Sequence, residues 1–330
     1  MDVPRISLAH LPTPLELAPR LTAAWGGPTI WVKRDDLTGF GLSGNKVRKL
    51  EFHLAAALEA DADTVITCGA VQSNHARATA LAAARVGLGT ILYLRSPDGA
   101  APEEPTGNHL LQRLAGAECR FITPEQYDDR DVILAEAAEL HGSAWPIPEG
   151  ASDALGSLGF VAAMREIAPQ IETLGIERPI LWHAASSAGT TAGMVRGAAD
   201  VDCDVEIVGS SVGDPADVVV QRVQALLDDA DAKFGRAPAG VRWLILDDYI
   251  GLGYGLSTAD ELSAQAESTR LTGMLFDPAY TGKAIYALKQ EIRRGRMTKA
   301  DHVIFWHTGG GFAAFAHHEI LAARVAESRE

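Results

Sequence analysis

A chain of 330 residues, 47% hydrophobic and 22% charged, can bury a sizeable core as two domains or one large α/β unit. Its formal net charge of −14 argues against nucleic acid or an anionic membrane as partner, since both need a basic surface; a small anionic ligand, which responds to local charge, stays open. Cys68, Cys119 and Cys203 are odd in number and show no paired spacing. The start Met1-Asp2-Val3-Pro4-Arg5 lacks a signal-peptide core, and no apolar run approaches the roughly 20 residues of a bilayer span. A soluble cytoplasmic protein without structural disulfides is expected, disordered only at its charged end, 327–330.

In chain order, β-branched runs alternate with alanine-rich helical stretches, the pattern of a parallel α/β sheet. A first strand is predicted over 29–33, followed by Lys33-Arg34-Asp35-Asp36. The run Leu42-Ser43-Gly44-Asn45-Lys46-Val47-Arg48-Lys49-Leu50-Glu51 then turns a glycine-containing loop into a helix over 46–60, striped by Val47, Leu50, Leu54 and Leu58. Ser43 or Asn45 can cap that helix. Lys46 falls in its first turn, at the positive end of the helix dipole and beside Arg48 and Lys49. Such crowding is expected to depress its pKa and enlarge the neutral, nucleophilic fraction that a Schiff-base lysine requires.

A strand over 64–68 ends in Thr67-Cys68-Gly69-Ala70-Val71-Gln72-Ser73-Asn74-His75, ahead of a helix over 75–86. Ligands of open parallel sheets bind beyond the carboxyl ends of strands, which favours Ser73 and Asn74, although helix capping is their plainer role. Strands over 90–94 and 119–122 and helices over 108–115, 131–141 and 156–168 follow, interrupted by a Pro-, Gly- and Glu-rich loop at 96–107. After a strand over 180–183, Ser186-Ser187-Ala188-Gly189-Thr190-Thr191-Ala192-Gly193 leads into a helix over 191–199. Small residues, hydroxyls and a helix N-terminus make a phosphate cup. The run is neither the triphosphate-binding G-x-x-x-x-G-K-[ST] nor the dinucleotide-binding G-x-G-x-x-G.

The remaining predicted strands are 205–209, 242–246 and 302–306, and the remaining helices 218–230, 258–272, 282–294 and 312–326. Tyr254 lies in Gly253-Tyr254-Gly255, and Tyr280 in Asp277-Pro278-Ala279-Tyr280-Thr281-Gly282-Lys283. A phenol beside a carbanion can donate or take a proton, or alter the acidity of a hydroxyl such as that of Ser73. His307-Thr308-Gly309-Gly310 follows the last strand. His317-His318-Glu319 lacks metal-ligand spacing and reads as helix surface. No metal is expected. There is no internal repeat, and no shift in composition marks a domain boundary.

The Lys46 run resembles the S/G-G-N-K-x-R-K-L-E motif of the fold-type II pyridoxal-phosphate enzymes of the 1-aminocyclopropane-1-carboxylate deaminase and D-cysteine desulfhydrase family. Lys33-Arg34-Asp35-Asp36 is similar to the family's K-R-D-D, and Gln72-Ser73-Asn74-His75 to its Q-S-N-H/Q. The resemblance implies that Lys46 carries pyridoxal 5′-phosphate, with Lys49 also binding the cofactor. It implies that Ser73 faces the substrate and Asn74 bonds the cofactor's phenolic oxygen, with His75 completing the substrate site. Ser187, Ala188, Gly189 and Thr190 would hold the phosphate, Ala188 standing where relatives often have glycine. Tyr254 and Tyr280 resemble the family's paired tyrosines, and Thr308, in its H-T-G-G, would meet the pyridine nitrogen with a neutral hydroxyl.

The implied fold is α/β and tryptophan synthase β-like: two open, mostly parallel sheet domains with the cofactor in the cleft between them. Residues 1–45 and 160–330 would form the large domain and 46–159 the small one. The implied protein is a homodimer acting on a small amino acid. The cyclopropane deaminases resemble one another in D-P-x-Y-E and H-L-G-G; this chain has Thr281 and Thr308, as the desulfhydrase-like branch does. A β-eliminating carbon–sulfur lyase giving pyruvate, ammonia and sulfide is therefore favoured. A cyclopropane deaminase, an L-cysteate sulfo-lyase and a catalytically silent binding relative are the alternatives.

Overall fold

The computed structural model describes residues 3–327; Met1 and Asp2 of the chain start and 328–330 of the charged end lie outside the described residues. Among the described residues there are ten strands: β1 (Leu15–Leu17), β2 (Thr29–Lys33), β3 (Thr64–Ala70), β4 (Gly89–Arg95), β5 (Glu118–Ile122), β6 (Ala144–Pro146), β7 (Ile180–Ala185), β8 (Glu206–Ser211), β9 (Arg242–Leu246) and β10 (His302–Trp306). They make two sheets. The larger runs β1-β2-β10-β7-β8-β9, parallel except for the antiparallel β1–β2 edge, and the smaller runs β5-β4-β3-β6, parallel throughout.

Helices cover both faces of the larger sheet, which explains why its central strands read as apolar runs rather than alternating ones. Along β10, Val303 and Phe305 join one core with Trp182 and Val32, while Ile304 and Trp306 join the opposite core with Leu181. The alternation is the pleat itself, which sends successive side chains to opposite faces.

Every predicted strand is present, within two residues at either end. The prediction lacked β1 and β6, three residues each and too short for periodicity, and the helices Pro19–Trp25 and Pro124–Asp128. The single helix predicted over 312–326 breaks at His317 into Gly311–Ala316 and His318–Glu327. The first piece packs on the Gly107–Leu114 helix and the second on Ala259–Thr272, so one straight rod could not serve both. Neither predicted cap of the Lys46–Glu59 helix forms. Ser43 Oγ donates to the Asp36 carbonyl at 2.8 Å, and Asn45, at the cap position, instead donates to Thr190 Oγ1 at 3.1 Å.

A buried ionic knot fixes that helix start. The Arg48 guanidinium, 1% exposed, donates to both Asp35 oxygens at 2.8 and 2.7 Å and to both Glu166 oxygens at 2.9 and 3.0 Å. Lys33 Nζ meets Glu166 at 2.5 Å, and Trp306 Nε1 donates to Asp35 at 2.8 Å. Lys33 and Asp35 of the K-R-D-D run thus serve the frame rather than the pocket. Burial resists ionisation of Glu166, but the bond and charge of Arg48, with Lys33, hold its carboxyl down at about 2.

Removing Arg48 leaves the Asp35 and Glu166 carboxylates in the knot with Lys33 as their remaining cation. Arg48→Ala is expected to lower unfolding free energy by about 3–5 kcal/mol in denaturant titration. A loss below about 1 kcal/mol would show that the knot is not integral to the fold. Because the Glu166 carboxyl is depressed, its contribution is complete above its ordinary pKa of 4.5 and is lost as pH falls towards about 2.

Candidate active site

One pocket opens beyond the carboxyl ends of β3, β7 and β10, where the two sheets face each other. Ten of the residues predicted for the site line it: Lys46, Ser73, Asn74, His75, Ser187, Ala188, Thr190, Tyr254, Tyr280 and Thr308. Lys49 and Gly189 stand behind its wall.

The loop before Lys46 is tied to the turn carrying Thr308. Asn45 N donates to Thr308 O at 3.1 Å, Gly44 has φ +114°, and a Cβ there would come within 2.8 Å of the same carbonyl oxygen. Gly309, with φ +86°, would meet Gly44 Cα at 2.5 Å. Only glycine suits either position. The Thr308 hydroxyl makes no hydrogen bond among the described residues and stays available.

Lys46, half-buried at the pocket wall, differs from the fully buried lysines Lys33 and Lys283. Lys33 is ion-paired, and Lys283, also fully buried, is held by Glu261 at 3.1 Å and the Ile250 carbonyl. Among the described residues the Lys46 amine has no such partner. Its ionisation is depressed to about 8, as the crowding argument required, but the cause is burial, with Glu149 pulling the opposite way. Arg48 does not crowd it, being neutralised by Asp35 and Glu166.

Ser73 does two things at once. Its Oγ caps the Asn74–Arg85 helix by accepting from Ala76 N at 3.1 Å, yet the side chain also faces the pocket. Asn74 is oriented by Asn108, whose amide donates to its Oδ1 at 2.8 Å. His75 bonds Thr67 Oγ1 through Nε2 at 2.8 Å, while that hydroxyl donates to the Ile147 carbonyl. The one hydroxyl proton being used, His75 must donate from Nε2, which leaves Nδ1 an acceptor. Burial, then the charges of Lys46 and Lys49, hold its protonation well below the ordinary range, so the ring is neutral.

Opposite stand the tyrosines, hydroxyl to hydroxyl at 2.5 Å, with rings edge to face at 5.5 Å. Burial raises Tyr254 to about 12 and Tyr280, next to it, well above its usual value. Both are neutral phenols at pH 7. Asp277, fully buried, accepts from the backbone N–H of Tyr280 at 2.9 Å and from Thr281 Oγ1 at 2.7 Å. Thr281 is thereby committed beneath the pocket rather than facing it.

The Ser187–Thr190 turn was the predicted phosphate cup. Beneath it lies Lys49 Nζ, buried and bonded only to neutral groups, Ser152 Oγ at 3.0 Å and the Gly150 carbonyl at 3.3 Å. Burial, then the charge of Lys46, hold its protonation far down. Such an amine calls for an anion. Ser187 and Ser152 share a hydrogen bond at 2.8 Å, and a Cβ on Gly189 would come within 2.7 Å of Ser152 Oγ and 2.9 Å of Lys49 Nζ. Hydroxyls, a buried amine that a bound anion would hold protonated and the N-terminus of the Gly189–Asp200 helix suit a phosphate dianion. Ser152 and Glu149, both brought in by the loop after β6, were not anticipated: their Pro-Glu-Gly-Ala-Ser surroundings look like any turn.

Comparison with known proteins agrees with this geometry. Residues 6–309 match the profile of the pyridoxal-phosphate dependent enzyme family, and the chain belongs to that family. It is 39% identical to a D-cysteine desulfhydrase from Klebsiella pneumoniae (strain 342), over 96% of this chain and 97% of that protein. A crystal structure of an ACC deaminase homologue superposes with a TM-score of 0.86 at 34% identity, covering 98% of this chain and 97% of that one. A fungal L-serine ammonia-lyase from Rhizomucor miehei shares the fold, with a TM-score of 0.67 at 18% identity over 96% and 98% of the two chains. The protein is a pyridoxal-phosphate-dependent lyase of fold type II. No helix among the described residues is long and apolar enough to cross a membrane.

Two outcomes test this geometry. A protonated amine is no nucleophile, so capture of pyridoxal phosphate by the cofactor-free protein should rise with pH with a midpoint of about 8, followed by visible absorbance. A midpoint at the ordinary lysine value of 10.5 would contradict the burial of Lys46. At the cup, Ala188 has φ +66°, a left-handed conformation that costs a side chain about 1–2 kcal/mol. Ala188→Gly should therefore raise thermal stability by up to about 1 kcal/mol after the added chain entropy of glycine, and destabilisation would show that the strain is absent.

Proposed function

We propose that the protein is a D-cysteine desulfhydrase-like enzyme that eliminates the β-substituent of a small amino acid. The observation that carries this reading is one pocket in which an unpaired lysine amine, a serine hydroxyl and two coupled neutral phenols meet above a phosphate cup. With D-cysteine and one water, the products are pyruvate, ammonia and sulfide. The 39% identity to the Klebsiella desulfhydrase supports this choice of substrate.

In this reading Lys46 bonds the cofactor, and Ser187, Ala188, Gly189, Thr190 and Lys49 hold its phosphate. Asn74 faces its phenolic oxygen and Thr308 its ring nitrogen. Bound pyridoxal phosphate draws electrons away from the substrate's Cα. Thr308 offers a neutral hydroxyl rather than a carboxylate, which leaves that ring nitrogen less firmly protonated and favours elimination. The substrate carboxylate is received at the N-terminus of the Asn74–Arg85 helix, by Ser73 and the neighbouring Asn74 and His75. The Lys46 amine, easily deprotonated, takes the Cα proton. Tyr280, set by Asp277, and Tyr254 supply a proton at the leaving group.

The division of the chain is part of the proposal: residues 46–159 as the small domain, 1–45 and 160–330 as the large one. It is supported by the smaller sheet, whose strands all fall between Thr64 and Pro146. A homodimer, as the family resemblance implies, completes the reading, with the cytoplasm as its compartment, for which three unpaired cysteines speak.

The likeness to an ACC deaminase homologue keeps one rival open, ring opening of 1-aminocyclopropane-1-carboxylate to 2-oxobutyrate. Thr281 argues against it, because the cyclopropane deaminases resemble one another in having glutamate directly after this tyrosine. Purified enzyme should release pyruvate and sulfide from D-cysteine, with little 2-oxobutyrate from the cyclopropane amino acid. Efficient 2-oxobutyrate formation without sulfide would overturn the assignment.

A further inference from the structure

Among the residues lining the pocket, Glu149 is the single acid and Lys46 the single lysine or arginine. The Glu149 carboxylate is fixed rather than free. One oxygen accepts from the Tyr127 hydroxyl at 2.8 Å, and the other pairs with Arg130 Nε at 3.0 Å. The Arg130 guanidinium stacks on the Tyr127 ring at 5.2 Å, and Arg95 stacks on the other side of the cluster, 5.0 Å from the Tyr127 ring and 5.7 Å from that of Tyr254. Arg130 balances the carboxylate from outside the lining, and neither arginine lines the pocket, so the one anionic group presented to a ligand there is Glu149. Its field reaches the reacting groups: Glu149 contributes to the upward pull on Lys46, Tyr254 and Tyr280.

We propose that Glu149 is a specificity-determining residue, a fixed carboxylate in the pocket wall that admits amino acids with a neutral β-substituent and rejects those with an anionic one, such as a sulfonate, carboxylate or phosphate ester. The physical reason is placement. The α-carboxylate is taken at the helix start that carries Ser73 and Asn74, leaving the β-substituent towards the tyrosines and Glu149. Two anions forced together in a partly desiccated pocket repel far more strongly than in water. Rejection by a like charge fixed in the pocket wall is an economical route to selectivity, because it leaves contacts to the preferred substrate intact. D-Cysteine, a neutral thiol, passes; L-cysteate, a sulfonate, does not.

This inference rests on the functional reading above, and binding rather than turnover tests it. Holoenzyme is titrated with asparagine and with aspartate, in both enantiomers, following the visible band of the bound cofactor. The two amino acids share a shape and differ in β-charge. The wild type should bind asparagine about tenfold or more tightly than aspartate, and Glu149→Gln, which can still accept from Tyr127, should reduce that ratio to about threefold or less. Tyr127→Phe, which keeps the charge, should retain the preference. Equal affinities in the wild type, no binding of either amino acid, or a ratio unmoved by Glu149→Gln would overturn the role of Glu149. If Glu149→Gln fails to hold cofactor, Glu149→Ala and the Tyr127→Phe comparison decide the same question. Absence of pyruvate from every amino acid would defeat the functional reading while leaving this binding result standing.

Discussion

The start of the Lys46 helix is held by one arginine. Arg48 joins three segments far apart in the chain: the end of β2 through Asp35, its own helix, and the Ala154–Thr173 helix through Glu166. Moving any of them would move Lys46, two residues away. Buried ion pairs are an inefficient way to gain stability, since desolvation offsets much of the attraction. Their requirement for geometry is strict, though, because a guanidinium fork donates to its carboxylates in few arrangements. Apolar groups could fill the same volume without prescribing which segments meet there.

Around that anchor, burial sets the chemistry. The chain carries a net charge of −14, yet the pocket wall presents one amine and one carboxylate. Desolvation lowers the pKa of Lys46 and raises that of both phenols, so an amine ready to lose its proton faces two hydroxyls that keep theirs. In the proposed reaction, acid and base are thus set by environment rather than by residue type. Lys49, buried beside neutral hydroxyls, is incomplete without an anion, and the cup above it is shaped to supply one.

Much of this was legible in the sequence. The strands of the larger sheet announce themselves as apolar runs, and the short motifs fall where strands end, so ten pocket residues could be named in advance. Other features had no local signature. Arg48 reads as a charge crowding Lys46 until Asp35 and Glu166, 13 and 118 residues away, are seen to neutralise it. Asn45 looks like a cap because caps are local, whereas its actual partner, Thr190, is 145 residues distant. Glu149 and Ser152 sit in an ordinary turn whose importance comes from where the smaller sheet delivers it. Thr281 was informative as a family marker, but its hydroxyl serves Asp277 rather than the pocket.

The central claim is that Lys46, and no other lysine, is the residue that bonds the cofactor. Borohydride reduction of the holoenzyme followed by proteolysis and mass spectrometry tests it directly. The geometry predicts the reduced cofactor's mass on the peptide containing Lys46, with Lys49 and Lys283 unmodified. Label on either of those lysines, or on none, would contradict it.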